Sequence, residues 1–136
     1  MVDDVLLNKA AQIERCLARV RDEYTSHEST LETDYTRQDA IVLNLQRACE
    51  TSIDLAMHGA RKNQLGLPQD AREAFTLLEQ AGIVSTETAT QMRAMVGFRN
   101  IAVHQYQDLS MPVLRSILDH HLEDFTAFAN ALIQHK

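Results

Sequence analysis

The chain has 136 residues and a formal net charge of −6, a length that suits one domain over residues 1–136. Its charge argues against broad nucleic-acid affinity, because non-specific binding comes from phosphate neutralisation by Lys and Arg; any RNA site must be a local basic patch in an acidic shell. Apolar residues make up 45%, with four Gly, two Pro and no Trp, which allows a core and favours helix over strand. Cys16 and Cys49 are the only cysteines. Both fall in helical apolar patterns and read as buried free thiols, without a disulfide framework or zinc site. Met1-Val2-Asp3-Asp4 is acidic where a secretory leader is basic, and no apolar run approaches the roughly 20 residues of a membrane span. A cytoplasmic protein with no membrane contact is expected.

In chain order, Leu6, Ala10, Ile13, Leu17, Val20 and Tyr24 recur three and four apart, which predicts an amphipathic helix from about Asp3 to Tyr24 with Asp3 as its cap. Thr25 to Asp34 is polar and acidic and reads as a loop. Thr36-Arg37-Gln38-Asp39 resembles a variant capping box opening a second helix that runs to about Gln64. That helix carries two apolar stripes, one through Ile41, Leu45, Ala48, Ser52, Leu55 and Gly59, the other through Val42, Cys49, Ile53, Ala56 and Ala60. An apolar arc so wide marks a central helix or one shared with another subunit. A third helix covers about Asp70 to Ala81, with Ala74, Phe75, Leu78 and Ala81 inward and Gly82-Ile83 as its C-cap. Ser85 caps a fourth helix reaching His104. Ser110-Met111-Pro112 opens a fifth, whose buried face is Leu114, Ile117, Leu118, His121, Phe125, Phe128 and Leu132. The fold class is all-α, an up-and-down bundle of about five helices.

The most informative segment is Arg99-Asn100-Ile101-Ala102-Val103-His104, with Tyr106 two residues on. An arginine, an amide and a histidine at the run-out of an apolar helix lose hydration unless something pairs with them. Together they supply a fixed charge, a hydrogen-bonding amide and a group that titrates near neutral pH, which is what metal-free phosphodiester cleavage requires. Each helical residue turns about 100°, so Asn100 and His104 share a face, while Arg99 and His104 point about 140° apart. Either the helix loosens before His104, or the Arg and His of different protomers meet.

Arg99, Asn100, His104 and Tyr106, spaced as Arg-Asn-x-x-x-His-x-Tyr, resemble the R-x4-H signature of HEPN proteins, and specifically of HepT-type toxins. Phe75 to Val84 resembles the F-x-x-L-x-x-x-G-I segment before the motif helix, and Met95 to Asn100 its lead-in. The likeness spans essentially the whole chain. It implies a HEPN bundle, a homodimer that brings two motifs into one cleft, and a metal-independent RNA endonuclease acting on mRNA or tRNA without a cofactor. It also implies a partner, a cognate MNT-type nucleotidyltransferase antitoxin. By position, Arg99 and His104 become the catalytic pair, Asn100 assists, and Tyr106 becomes the residue that receives AMP.

Other readings stand beside this one. Arg99 could pair with a carboxylate on the second helix, and His104 could cap its own helix, where a cation is favoured. Tyr106 could be a half-buried loop aromatic with its hydroxyl in water. His120-His121 diverge by about 100° and make a poor chelating pair, so no metal site is expected; His121 reads as a core or interface histidine, and His58 and His27 lack ligand-spaced partners. Arg61-Lys62, Arg93 and Arg115 read as solvated charges, with an RNA path as the lesser alternative. Two rival functions follow, a non-catalytic HEPN nucleotide-binding or accessory subunit of a nucleotidyltransferase complex, and a structural dimerisation module.

Overall fold

The computed structural model describes residues 3–135; Met1 and Val2, read above together with Asp3 and Asp4, lie outside the described residues. Short polar side chains set where the helices begin, each holding a backbone N–H that a first turn leaves free. The Asp3 carboxylate accepts from the Leu6 N–H at 3.1 Å and opens α1 (Asp4–Tyr24). Asp34 accepts from Arg37 and opens α2 (Tyr35–Lys62), and Asp70 accepts from Glu73 to open α3 (Ala71–Gln80). Ser85 and Ser110 do the same for α4 (Thr86–His104) and α5 (Met111–His120). With α6 (Leu122–Gln134), the described residues hold six α-helices and no strand.

Four expectations are corrected. The cap of α2 is Asp34 and not Thr36, so the helix starts at Tyr35. The preceding segment is more than a loop. It contains a 3-10 turn, Glu28–Thr30, and buries Leu31, whose carbonyl accepts from the Gln38 side chain at 2.9 Å. Ala81 is exposed at the C-cap of α3 instead of facing inward. There Gly82 adopts φ +76°, the left-handed conformation that glycine accommodates best. The Ile83 N–H then bonds Leu78 O, and the Gly82 N–H bonds Glu79 O, each at 3.0 Å, a Schellman termination.

The predicted fifth helix is two helices. It breaks at His121, whose backbone leaves the helical region (φ −126°, ψ 3°) while its Nδ1 bonds Asp124 Oδ2 in the first turn of α6 at 2.8 Å. The break turns α6 so that Leu122 joins Phe125, Phe128 and Leu132 in the core. His121 itself is half-exposed at the joint.

Helix α2 is central, as its two stripes predict, and packs against α1, α3, α4 and α6. Phe75 of α3 meets Phe128 of α6 edge-on at 5.1 Å, and both are buried to within 1%. Truncating such a ring removes its transfer energy and leaves a cavity, so Phe128→Ala should cost about 3–5 kcal/mol in urea unfolding. A shift under 1 kcal/mol would place Phe128 outside the core. Among the described residues, no helix is long and apolar enough to cross a membrane.

Candidate active site

The motif lies at the C-terminal end of α4. The helix stays regular through His104, for the Gln105 N–H still reaches Ile101 O at 2.8 Å, and only Gln105 departs from it (φ −142°, ψ 49°). The helix therefore does not loosen to bring Arg99 and His104 together. Arg99 turns toward α2, where its Nη1 lies 3.9 Å from Glu50 Oε2. That separation exceeds a hydrogen bond, and the buried Arg99 Nε has no partner. The carboxylate pairing weighed for Arg99 is thus present only loosely, and the guanidinium keeps donors in reserve. Arg99 also lies beside buried Cys49: burial pushes this thiol well above the usual range, and the Arg99 charge acts against that rise.

His104 is exposed on the other side of the helix end and Asn100 is half-buried. One chain thus presents an arginine on one flank and an imidazole on the other. Such a pair can act on one phosphodiester when a second chain, or the bent RNA itself, spans the helix end.

Beyond α4 the chain forms a 3-10 turn, Tyr106–Asp108. The Tyr106 hydroxyl is not given over to water. It donates to Asp39 Oδ1 on α2 at 2.5 Å, in the range of charge-assisted O–H···O⁻ bonds. Burial of the ring, and then this bond, push the Tyr106 hydroxyl above the ordinary tyrosine value. Sequence reading placed Asp39 only in a capping box. Its contact with Tyr106 spans 67 residues, and no local pattern announces it.

Several cations read as solvated are structural. Lys62 and His58 both bond the Asp3 carboxylate at 2.9 Å. Arg93 bonds Glu79 at 2.9 Å, and Arg115 joins Glu32 to the Tyr24 hydroxyl. Tyr24, which also donates to Asp119, is pushed up to about 12 by burial and that carboxylate.

Arg61 is exposed and forms no ion pair among the described residues, and further uncommitted positive charge clusters elsewhere. Arg15, Arg19 and Arg47 line a groove of about 360 Å³ between α1 and α2, and none has a carboxylate partner among the described residues. Cys16, expected to be buried, is only partly so and lines this groove. So does Asn44, which is 4% exposed with its Oδ1 unpartnered. The four-residue spacing of Arg15 and Arg19 on α1 was the signal that could have revealed this patch. Arg47 lies one turn before Glu50, the α2 residue nearest the Arg99 guanidinium. Leu43, Ile101, Val103 and Val113 are large apolar residues left exposed, two of them flanking Ala102 within the motif.

Comparison with known proteins gives the family. A family model described as ribonuclease HepT-like matches residues 13–132. The chain is 43% identical over 131 residues to the mRNA nuclease HepT of Shewanella oneidensis, covering 96% of this chain and 98% of that protein. It superimposes with a TM-score of 0.90 on the tri-AMPylated HEPN toxin of the same organism in complex with an MNT antitoxin, at 43% identity and with 96% and 97% of the two chains covered. A toxin–antitoxin structure with AMP-PNP contains a chain of the same fold, with a TM-score of 0.91 and 42% identity over 96% of this chain and 99% of that one. On matched length, identity and fold together, this chain belongs to the ribonuclease HepT-like family.

Proposed function

We propose that this chain, as one HepT-like domain over residues 1–136, is a toxin ribonuclease that cuts mRNA and is silenced when a cognate MNT-type nucleotidyltransferase antitoxin transfers AMP to Tyr106. One observation carries the nuclease reading. The exposed imidazole of His104 and the incompletely paired guanidinium of Arg99 project from one helix end, the first free to move a proton and the second free to hold an anion. The relatives' names and the antitoxin complexes support the substrate class and the partner. An RNA substrate places its action in the cytoplasm.

In the reaction, the RNA 2′-oxygen loses its proton and bonds the adjacent phosphorus as the bond from that phosphorus to the 5′-oxygen of the next nucleotide breaks, and that oxygen leaves as a protonated 5′-hydroxyl. His104 takes or returns the proton as general base or acid. Arg99 offers paired N–H donors to the phosphoryl oxygens as charge builds on them. Asn100, on the His104 face, positions the phosphate or holds the imidazole. Charge neutralisation and proton transfer both come from side chains, so cleavage should proceed in EDTA. Purified protein incubated with total RNA and EDTA, beside His104→Ala, tests this; equal cleavage by both, or by neither, rejects it.

The active form we propose is a homodimer. The exposed Leu43, Ile101, Val103 and Val113 give it apolar surface to bury, and a second copy supplies the Arg99 or His104 that one helix end cannot bring to the same side. The α1–α2 groove with Arg15, Arg19 and Arg47 is the RNA path, where an acidic protein concentrates the cations needed for phosphate contact. In a His104→Ala background, Arg47→Gln should lower the slope of log K against log salt for single-stranded RNA by about 0.7, the loss of one phosphate contact. Fluorescence anisotropy across a salt series reads the slope, and an unchanged value takes Arg47 out of the path.

A further inference from the structure

The bond between Tyr106 and Asp39 is more specific than the modification reading requires. A neutral phenol is a weak nucleophile, and at neutral pH little tyrosinate is present because the ordinary pKa lies near 10. Tyr106 is worse placed than an ordinary tyrosine, since its surroundings disfavour the anion further. A phenol in that position needs a base beside it at the moment of attack. The Asp39 carboxylate accepts the Tyr106 proton at 2.5 Å, within reach of direct transfer. Among the described residues Asp39 makes no other side-chain hydrogen bond or ion pair, so its basicity is not spent on a cation. Asp39 is exposed near the start of α2 and Tyr106 keeps 37% of its surface. A nucleotide can therefore approach the phenol oxygen while its hydrogen stays directed at the carboxylate.

We propose that Asp39 is the general base for AMP transfer onto Tyr106, so that the toxin supplies part of the machinery that silences it. The inference rests on Tyr106 being the acceptor. As the Tyr106 oxygen forms a bond to the α-phosphorus of a nucleoside triphosphate, the bond from that phosphorus to the bridging oxygen breaks. Pyrophosphate leaves with the electron pair, and the phenolic proton passes to Asp39 Oδ1 and from there to solvent. Nothing is oxidised or reduced. The product cannot restore the original contact, because the ester oxygen has no hydrogen to donate and a phosphodiester anion now faces a carboxylate.

The test is steady-state AMP transfer, with the purified antitoxin as enzyme, ATP as donor and the toxin as varied substrate. Product is counted by intact mass and located by peptide mapping, and melting temperatures report that each variant is folded. Asp39→Asn should lower kcat about 100-fold, the scale of a lost general base, with KM for the toxin within about twofold, because the isosteric amide preserves the docking surface. Asp39→Glu should recover most of the rate. Asp39→Asn turning over as fast as the native chain overturns the inference, and so does a loss carried by KM or one that Glu fails to rescue, since either makes Asp39 a docking contact. A native chain that gains no AMP on Tyr106 removes the acceptor reading itself, an outcome distinct from these.

Discussion

His104→Ala should lose RNA cleavage by about 100- to 10,000-fold, the range of a deleted general acid or base, with no change in melting temperature. The second half of that expectation separates chemistry from scaffold. The His104 side chain is exposed and makes no hydrogen bond among the described residues, so its removal leaves no buried partner unsatisfied and opens no cavity. Arg99→Ala should fall by about 100- to 1000-fold, as when one oxyanion donor is lost. Its structural cost should also be small, because the Glu50 contact at 3.9 Å is long and partly solvated. The two losses should not add, since groups that act on one transition state fail together. Rates come from single-turnover cleavage of a defined RNA, and stabilities from thermal melts of the same preparations. Cleavage that survives both substitutions rejects the pair. Cleavage lost only in step with a large drop in melting temperature makes the motif structural.

Tyr106→Phe should leave the antitoxin unable to silence the nuclease. With antitoxin and ATP, the native chain should gain AMP-sized mass increments and lose cleavage, while the Phe variant should gain none and continue to cut. An adduct on Tyr106 would sit two residues beyond His104. It would add bulk and negative charge beside His104, where a substrate phosphate must sit, so occlusion and charge would act together. Removing the hydroxyl also deletes the bond to Asp39. That bond is to a carboxylate and worth about 1.5–3 kcal/mol before solvent screening, a loss that the melting temperature of the Phe variant reads separately from its gain of AMP. A Phe variant silenced as fully as the native chain would mean that antitoxin binding alone suffices.

Four of the helices, α1, α3, α4 and α5, were readable because each has a cap and a stripe. Asp3, Ser85 and Ser110 hold the N–H groups they were expected to hold, and Asp70, read only as the start of α3, holds that of Glu73. The break at His121 was not readable, because Leu114, Ile117, Leu118, Phe125, Phe128 and Leu132 keep helical spacing straight through it, and periodicity cannot register a turn between two helices that share a phase. The motif was readable as residue types and as a geometric conflict between Arg99 and His104. The structure narrowed that conflict by keeping α4 regular to its last residue. Two features of the site were beyond a local reading. Asp39 meets Tyr106 only because α2 and the end of α4 pack together. Arg15, Arg19 and Arg47 stand out only once Lys62, Arg93 and Arg115 are seen to be committed to Asp3, Glu79 and Glu32. In a chain of net charge −6, those three arginines answer the demand for a local basic surface.

The claim that Arg99 and His104 cut RNA through attack of a 2′-oxygen on its neighbouring phosphorus, with departure of the 5′-oxygen, is tested most directly at the cut ends. A short defined RNA, incubated with the unmodified protein in excess EDTA, should yield a 2′,3′-cyclic phosphate on one fragment and a 5′-hydroxyl on the other, identified by mass, with neither formed by His104→Ala. Fragments ending in a 3′-hydroxyl and a 5′-phosphate, or cleavage that appears only when a divalent metal is returned, would contradict it.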